Sequence, residues 1–289
     1  MATADGQRLR GERGPPSDEA THLEKHLLVA ARDFCVEAVE CRCGTTGWSR
    51  PEEAARHAIV FVRRGCFRRR LNGSESFVDP TVVYFERPDD EQQIAHPAGG
   101  DSCTVLYLAD ALLAALWGGE PGLPAEPVPS ETSTDLRQRL LTAALVRGDS
   151  GEAAEAVISV AAAVLEGAEP ERVASGRPVT AVARRRLASA VREALVDDPR
   201  AGVIELARRV AVSPHHLSRV FRTETGETIS RYRNRLRVRL ALDRLADGEP
   251  SLARLAAELG FADQAHLTRV VRREVGATPS AVRELLSPD

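Results

Sequence analysis

Residues Glu205–Ser230, ELARRVAVSPHHLSRVFRTETGETIS, and Arg254–Ser280, RLAAELGFADQAHLTRVVRREVGATPS, carry one pattern twice. From Leu217 and Leu267 onward the copies align without gaps at an offset of fifty. Leu-Ser-Arg-Val faces Leu-Thr-Arg-Val, then Arg222 faces Arg272, Glu224 faces Glu274 and Gly226 faces Gly276. The second copy has one extra residue in its turn, near Gly260-Phe261. A repeated unit of helix, short turn and second helix is the sequence form of a helix-turn-helix. The two motifs are expected over 204–224 and 251–274.

Local chemistry supports that reading. Ser213 has a hydroxyl to cap the next helix, and Pro214 sits where its missing N–H is harmless. Leu217, Val220 and Phe221 fall on one helical face, leaving His215, His216, Ser218, Arg219 and Arg222 for solvent. In the second copy Asp263 is the cap and Leu267, Val270 and Val271 form the apolar face. Gln264, Ala265, His266, Thr268, Arg269 and Arg272 remain outside. Gln suits adenine, Arg suits guanine, and Ala or a Thr methyl can touch a thymine methyl in a major groove. Between the motifs, Thr228 to Ala246 reads as one long helix with Arg231, Arg233, Arg235, Arg237 and Arg239. That arginine series is expected to be mostly a solvated face, with one or two members clamping a phosphate.

Residues from about 185 onward resemble the DNA-binding domain of AraC/XylS-type transcription regulators. The cues are the tandem motifs, the long helix between them, the run LAAELGFADQAHLTRV and the following G-x-T-P-S. The resemblance implies that each recognition helix enters one of two successive major grooves. Carried over by position, it implies base readers at His215, Ser218, Arg219, Gln264, Ala265, His266, Thr268 and Arg269. The family usually has aromatics where Leu267 and Val271 stand, so a slimmer second core is expected. The first half is similar to the cupin-like sensor domain of the same family. It lacks the cupin His-x-His pattern, so the resemblance implies no metal, and no cofactor is expected.

Charge agrees with this division. The whole chain carries 39 Lys+Arg and 42 Asp+Glu, a net charge of −3. Residues 178–289 hold 20 basic and 14 acidic side chains, whereas residues 1–177 hold 19 and 28. The basic half is the one with the repeat, as a phosphate-binding footprint requires. At 289 residues, with 43% apolar and 28% charged, the chain suits two globular domains. The polar start has no apolar core of a signal peptide, and five cysteines suit a reducing compartment. A cytoplasmic location is expected.

Leu27 to Leu108 reads as short strands: FCVEAVECRC, AIVFV, CFRRRL, TVVYF and CTVLYL. Asn72-Gly73 is a hairpin signal, since both residues tolerate positive φ. Strands at this spacing suggest a small barrel or double sheet whose mouth is a natural ligand pocket. Cys35, Cys41 and Cys43 would share a face of one strand, with Cys66 and Cys103 opening others and His57 and His96 nearby. These are candidates for a thiol or metal sensor, but no zinc-type C-x₂-C spacing is present. Cysteine is more often a small buried hydrophobe, and that reading is adopted. Arg63-Arg64 and Arg68-Arg69-Arg70 read as an exposed strand edge, and Trp48 as a pocket wall or a loop pin.

The expected fold is α+β and multidomain: a disordered tail at 1–21, a cupin-like β-barrel sensor at 22–117 and a Pro-rich linker at 118–133. A helical hairpin at 134–177, a packing element or dimer interface, and the DNA-binding domain at 178–289 complete it. The expected function is sequence-specific transcription regulation, modulated by an effector or by a redox or metal signal, with no enzymatic activity. Double-stranded DNA, RNA polymerase, an unidentified small-molecule effector and a second copy of the chain are the expected partners, and no membrane. Two alternatives come from other classes. One is a non-specific architectural protein. The other is a cysteine-based DNA-repair or transfer enzyme fused to this module, whose Pro-Cys-His-Arg motif is absent.

Overall fold

The computed structural model describes residues 23–42, 47–97, 99–149, 151–168 and 178–286. The expected tail at 1–21 and Cys43 lie outside them. Nine strands open the described chain: β1 (Leu23–Ala30), β2 (Phe34–Cys41), β3 (Glu52–Glu53), β4 (Ala58–Arg64), β5 (Phe67–Leu71), β6 (Ser74–Val78), β7 (Val82–Glu86), β8 (Glu91–Ala95) and β9 (Asp101–Leu108). After α1 (Asp110–Trp117) a last short strand, β10 (Val128–Pro129), joins them. One sheet has the order β1-β2-β9-β4-β7-β10 and the other β3-β8-β5-β6. No pairing among the described residues joins the two. The expected barrel is therefore an open double sheet. Asn72 (φ 46°) and Gly73 (φ 84°) turn β5 into β6, as their dipeptide predicts.

The six-stranded sheet is covered on both faces, which explains why AIVFV is a continuous apolar run with every residue buried. Ile59, Phe61, Val83, Phe85, Leu106 and Leu108 face α1 and the later helix α3 (Ala153–Gly167). The alternate residues Val60, Val62, Tyr84, Cys103 and Val105 face Phe67 and Val78 of the smaller sheet. Period-two alternation thus sends one strand set into two cores.

Residues 118–131 are not helical, yet they are no free tether. Leu123 is buried in the sheet–helix core, its carbonyl accepts from Arg87, and β10 pairs with β7. Helix α2 (Thr132–Val146) then lies between the two halves of the molecule. Leu141 and Leu145 enter the sheet–helix core, while Leu136 packs in the core of the second helix-turn-helix. These two contacts take up much of its apolar stripe, while Val146 remains exposed.

The remaining helices are α4 (Pro178–Asp197), α5 (Val203–Arg209), α6 (Pro214–Thr225), α7 (Ile229–Ala246), α8 (Leu252–Glu258), α9 (Gln264–Val275) and α10 (Pro279–Leu286). Helices α4 to α6 form one core around Leu195, Leu206, Leu217 and Phe221. Helices α8 to α10 form another around Leu255, Leu267, Val271 and Val282. Helix α7 belongs to both, through Tyr232 and Leu236 to the first and Leu242 and Leu245 to the second.

The arginines of α7 correct the expectation of a solvated face. Arg235, Arg237 and Arg239 are buried. Arg235 donates to the carbonyls of Thr81 and Ser130 and pairs with Glu227. Arg239 donates to the Ser130 carbonyl and to Thr132 Oγ1. Burial pulls the Arg239 guanidinium down to about 10, so it stays charged at neutral pH and needs these acceptors. The strand arginines likewise are no bare edge. Arg69 is fully buried, donating to Gln92 Oε1 and the Phe85 carbonyl. Arg64 holds Asp243 of α7 and Asp247 at its C-cap, Arg68 holds Glu193 of α4, and Arg70 stacks on Trp48.

Candidate nucleic-acid interface

The two repeats form matching local structures. Ser213 Oγ accepts from the His216 N–H at 3.2 Å, and Asp263 Oδ1 accepts from the His266 N–H at 2.6 Å. These caps fix the start of two twelve-residue helices. Gly226 (φ 75°) and Gly276 (φ 79°) close them in the left-handed conformation, each N–H returning to Arg222 or Arg272. The extra residue of the second copy lies between α8 and Asp263. Gly260 takes φ 75° there, as Ala211 takes φ 54° in the first turn. A side chain at Gly260 would meet Arg200 and Arg237 at 2.8 Å.

Leu217, Val220 and Phe221 are buried in α6, and Leu267, Val270 and Val271 in α9. Leu267 and Val271 leave no opening, because Phe261 enters the same core from the turn. Outside α6 stand His215, His216, Ser218, Arg219 and Arg222, all exposed. Outside α9 stand Gln264, Ala265, Arg269 and Arg272, exposed, with Thr268 half-buried. Ser218 and Thr268 occupy equivalent positions, and each hydroxyl donates to the carbonyl four residues back, at 2.9 Å. Their oxygens remain as acceptors, and the Thr268 methyl is available as an apolar contact. His266 differs from the rest. Its ring packs edge-on against Phe261 and its Nδ1 accepts the Ala262 N–H at 3.2 Å, so one nitrogen is committed to the turn. Its place on the helix does not separate it from its solvent-facing neighbours; the one signal in the sequence is Phe261, five residues earlier.

The strand-rich half holds a cavity of about 380 Å³ between its two sheets. Val60, Phe67, Tyr84, Val105 and Tyr107 supply apolar wall, and His96 and Asp101 supply polar groups. Cys35, Cys66 and Cys103 are free thiols. Burial pushes the Cys66 thiol up to about 12, and burial with Glu37 raises Cys35. A nucleophilic cysteine needs the opposite shift, which removes the chemical basis of the transfer-enzyme alternative at these two positions. Cys41 is disulfide-bonded.

A helix-turn-helix domain model matches residues 206–285. An HTH-type transcriptional regulator of Mycobacterium tuberculosis is 38% identical over 80 residues, which span 28% of this chain and 31% of that protein. The HTH-type transcriptional activator RhaS of Escherichia fergusonii is 28% identical over 241 residues, 79% of this chain and 85% of RhaS. Regulatory protein SoxS of Salmonella typhimurium is 36% identical over 81 residues, 28% of this chain and 76% of SoxS. The SoxS match covers most of that relative, and the RhaS match extends across both halves of the chain. All three relatives are regulators rather than enzymes. The chain belongs to the AraC/XylS family of helix-turn-helix transcription regulators.

Proposed function

We propose that this chain is a sequence-specific regulator that lays α6 and α9 in successive major grooves on one face of a duplex. The observation that carries this reading is the pair of equally capped helices, each with a sealed apolar face and an exposed polar stripe. His215, Ser218 and Arg219 read bases from α6, with His216 beside them. Gln264, Ala265, Thr268 and Arg269 do so from α9, joined by the free edge of His266. Arg222 and Arg272 lie a turn later and contact phosphates, since helix N-termini approach bases and later cations hold the backbone. The two stripes differ in chemistry, so one protomer reads an asymmetric, direct site, and a palindrome arises only if two copies associate.

In this reading the domain limits are 22–117 for sensing, 118–177 for connection and 178–289 for DNA binding. The cavity between the sheets receives a small-molecule effector or a redox or metal signal. Its state biases the DNA-binding half through the polar contacts that α7 and α4 make with the sheets. The protein works in the cytoplasm, beside RNA polymerase. Selection of bound duplexes from a random library tests the core of the proposal. One enriched site with two unlike blocks about one helical turn apart supports it. Equal recovery of all sequences would establish the architectural alternative.

A further inference from the structure

The loop between β8 and β9 is forced against the end of β2. Cys41 pairs with Asp101 in the strand register. A Cβ at Gly100 would lie 1.7 Å from the Cys41 carbonyl oxygen and 2.8 Å from its carbonyl carbon, so only glycine fits there. Gly65, at φ 78°, brings a third backbone segment in, where a Cβ would meet the Gly100 carbonyl at 2.5 Å. This convergence places the side chains of Cys41, His96 and Asp101 together at the wall of the cavity. Their ligand atoms lie within 4.8 Å of one another, and all three residues are less than 9% exposed. His96 Nε2 meets Asp101 Oδ1 at 2.5 Å, and Cys103 Sγ donates to Asp101 Oδ2 at 2.9 Å.

We infer that Cys41, His96 and Asp101 form a redox-gated site for a divalent transition metal of the zinc class. One thiolate sulfur, one imidazole nitrogen and one carboxylate oxygen make a borderline donor set of the kind zinc and cobalt take. Three protein ligands leave a fourth position, which faces the cavity and is open to water or to a donor atom of an effector. Asp101 binds through Oδ1 while the Cys103 thiol holds Oδ2, the outer hydrogen bond that orients a ligating carboxylate. In a tetrahedral site the nitrogen and oxygen ligands stand roughly 3.3 Å apart, from metal–ligand lengths near 2.0–2.1 Å. The His96–Asp101 contact therefore opens by less than an ångström as the ion enters.

The gate is the disulfide at Cys41. A two-electron reduction by a cellular dithiol breaks the S–S bond, yields two protein thiols and leaves the dithiol oxidised to its own disulfide. The metal ion then displaces the proton of the Cys41 thiol to solvent and forms the metal–sulfur bond. In the reverse direction a small-molecule disulfide accepts the two electrons and is reduced to its dithiol: the metal–sulfur bond breaks, the S–S bond at Cys41 re-forms, and the ion leaves to solvent. This deepens the sensing role proposed for the cavity and rests on it only for regulatory meaning. Metal uptake and DNA binding are measured separately, so either reading can fail alone.

Cobalt(II) is titrated into the full chain, reduced and metal-stripped or left oxidised. The reduced protein is expected to bind one equivalent, with a thiolate-to-cobalt charge-transfer band and tetrahedral d–d bands; the oxidised protein binds none. His96→Gln and Asp101→Asn weaken binding by about tenfold or more, whereas Cys35→Ser leaves it unchanged. A second measurement needs no variant: zinc should slow alkylation of Cys41 at least severalfold in the reduced wild type and leave Cys35 unprotected. Absence of the thiolate band in the reduced protein, or equal alkylation of Cys41 with and without zinc, overturns the site. Either result leaves His96, Asp101 and Cys103 as a hydrogen-bonded cluster only.

Discussion

The Tyr232 hydroxyl donates to Asp79 Oδ2 at 2.5 Å, across 153 residues of sequence. Asp79 follows the last strand of the small sheet's hairpin, and Tyr232 lies on the first turn of α7. Asp79 is fully buried, and it also accepts from the Thr81 backbone N–H and hydroxyl and from Arg192 of α4. A single carboxylate thereby ties the β-sheets to both helices that frame the first helix-turn-helix. Buried charge is tolerated only when its lone pairs are used, and here two side-chain donors from one domain and two donors of its own loop use them.

Tyr232→Phe removes one donor from this carboxylate while keeping the ring against Phe221, 5.4 Å away. Hydrogen bonds to charged groups contribute about 1.5–3 kcal/mol, so that loss of stability is expected in urea unfolding. Thr81→Val, on the same carboxylate, should combine with it non-additively.

The pH dependence follows from the same group. Burial alone would raise the Asp79 carboxyl, but Arg192, Thr81 and Tyr232 outweigh it and hold the carboxyl below its ordinary value of 3.8. A depressed folded-state value means the stabilisation is complete above 3.8 and is lost as pH falls through the lower folded value. Glu249, held down to about 2 by Arg254, the Ser251 N–H and Arg244, adds loss in the same direction at the start of α8. Unfolding free energy measured over the acid range should therefore drop steeply, and the drop should be shallower in Asp79→Asn.

Arg219→Ala and Arg269→Ala test the groove assignment. Each should cost roughly 1–3 kcal/mol of affinity for the selected site and relax specificity at its own position. Arg222→Ala and Arg272→Ala should weaken all sequences alike and lower the salt slope by about 0.9 for each phosphate that is no longer neutralised. Titrations at several salt concentrations separate the two classes. Unchanged affinity in both Arg219→Ala and Arg269→Ala would end the assignment.

The caps give an independent prediction. Ser213→Ala and Asp263→Ala each leave a helix N–H without its side-chain acceptor, an effect of about 0.5–2 kcal/mol. Thermal unfolding of each variant measures it. DNA affinity should fall by a similar factor in the two cases if both helices are used for binding.

How much of this is legible in the sequence differs between the halves. The tandem motifs are built from contacts a few residues apart: Ser213 to His216, Leu217 to Phe221, Gly226 to Arg222. Such contacts leave their signature in residue spacing, and caps, apolar faces and closing glycines can all be read directly. The hairpin at Asn72-Gly73 is legible for the same reason. Strand β8, EQQIA, escapes such reading because only Gln92 and Ala95 are buried, which leaves too little alternation to detect.

The arginines show where local reading stops. Arg235 and Arg239 look like any helical cations, and whether their faces meet water depends on distant carbonyls, those of Thr81 and Ser130, more than a hundred residues away. The same holds for Arg69, enclosed by Gln92 and Phe85, and for Asp79. His266, among the residues proposed to enter the groove, is a shorter-range case, decided by a ring in the preceding turn. By itself the sequence determined the family, the two recognition helices and the residues they present, because helical periodicity and capping are local. Only the tertiary structure decided that the sheets stay open, that the arginines of α7 fasten the strand-rich half to the helical half, and that Cys41, His96 and Asp101 meet. Those outcomes depend on which distant backbones approach, and a glycine at position 100 marks one such approach without saying to what.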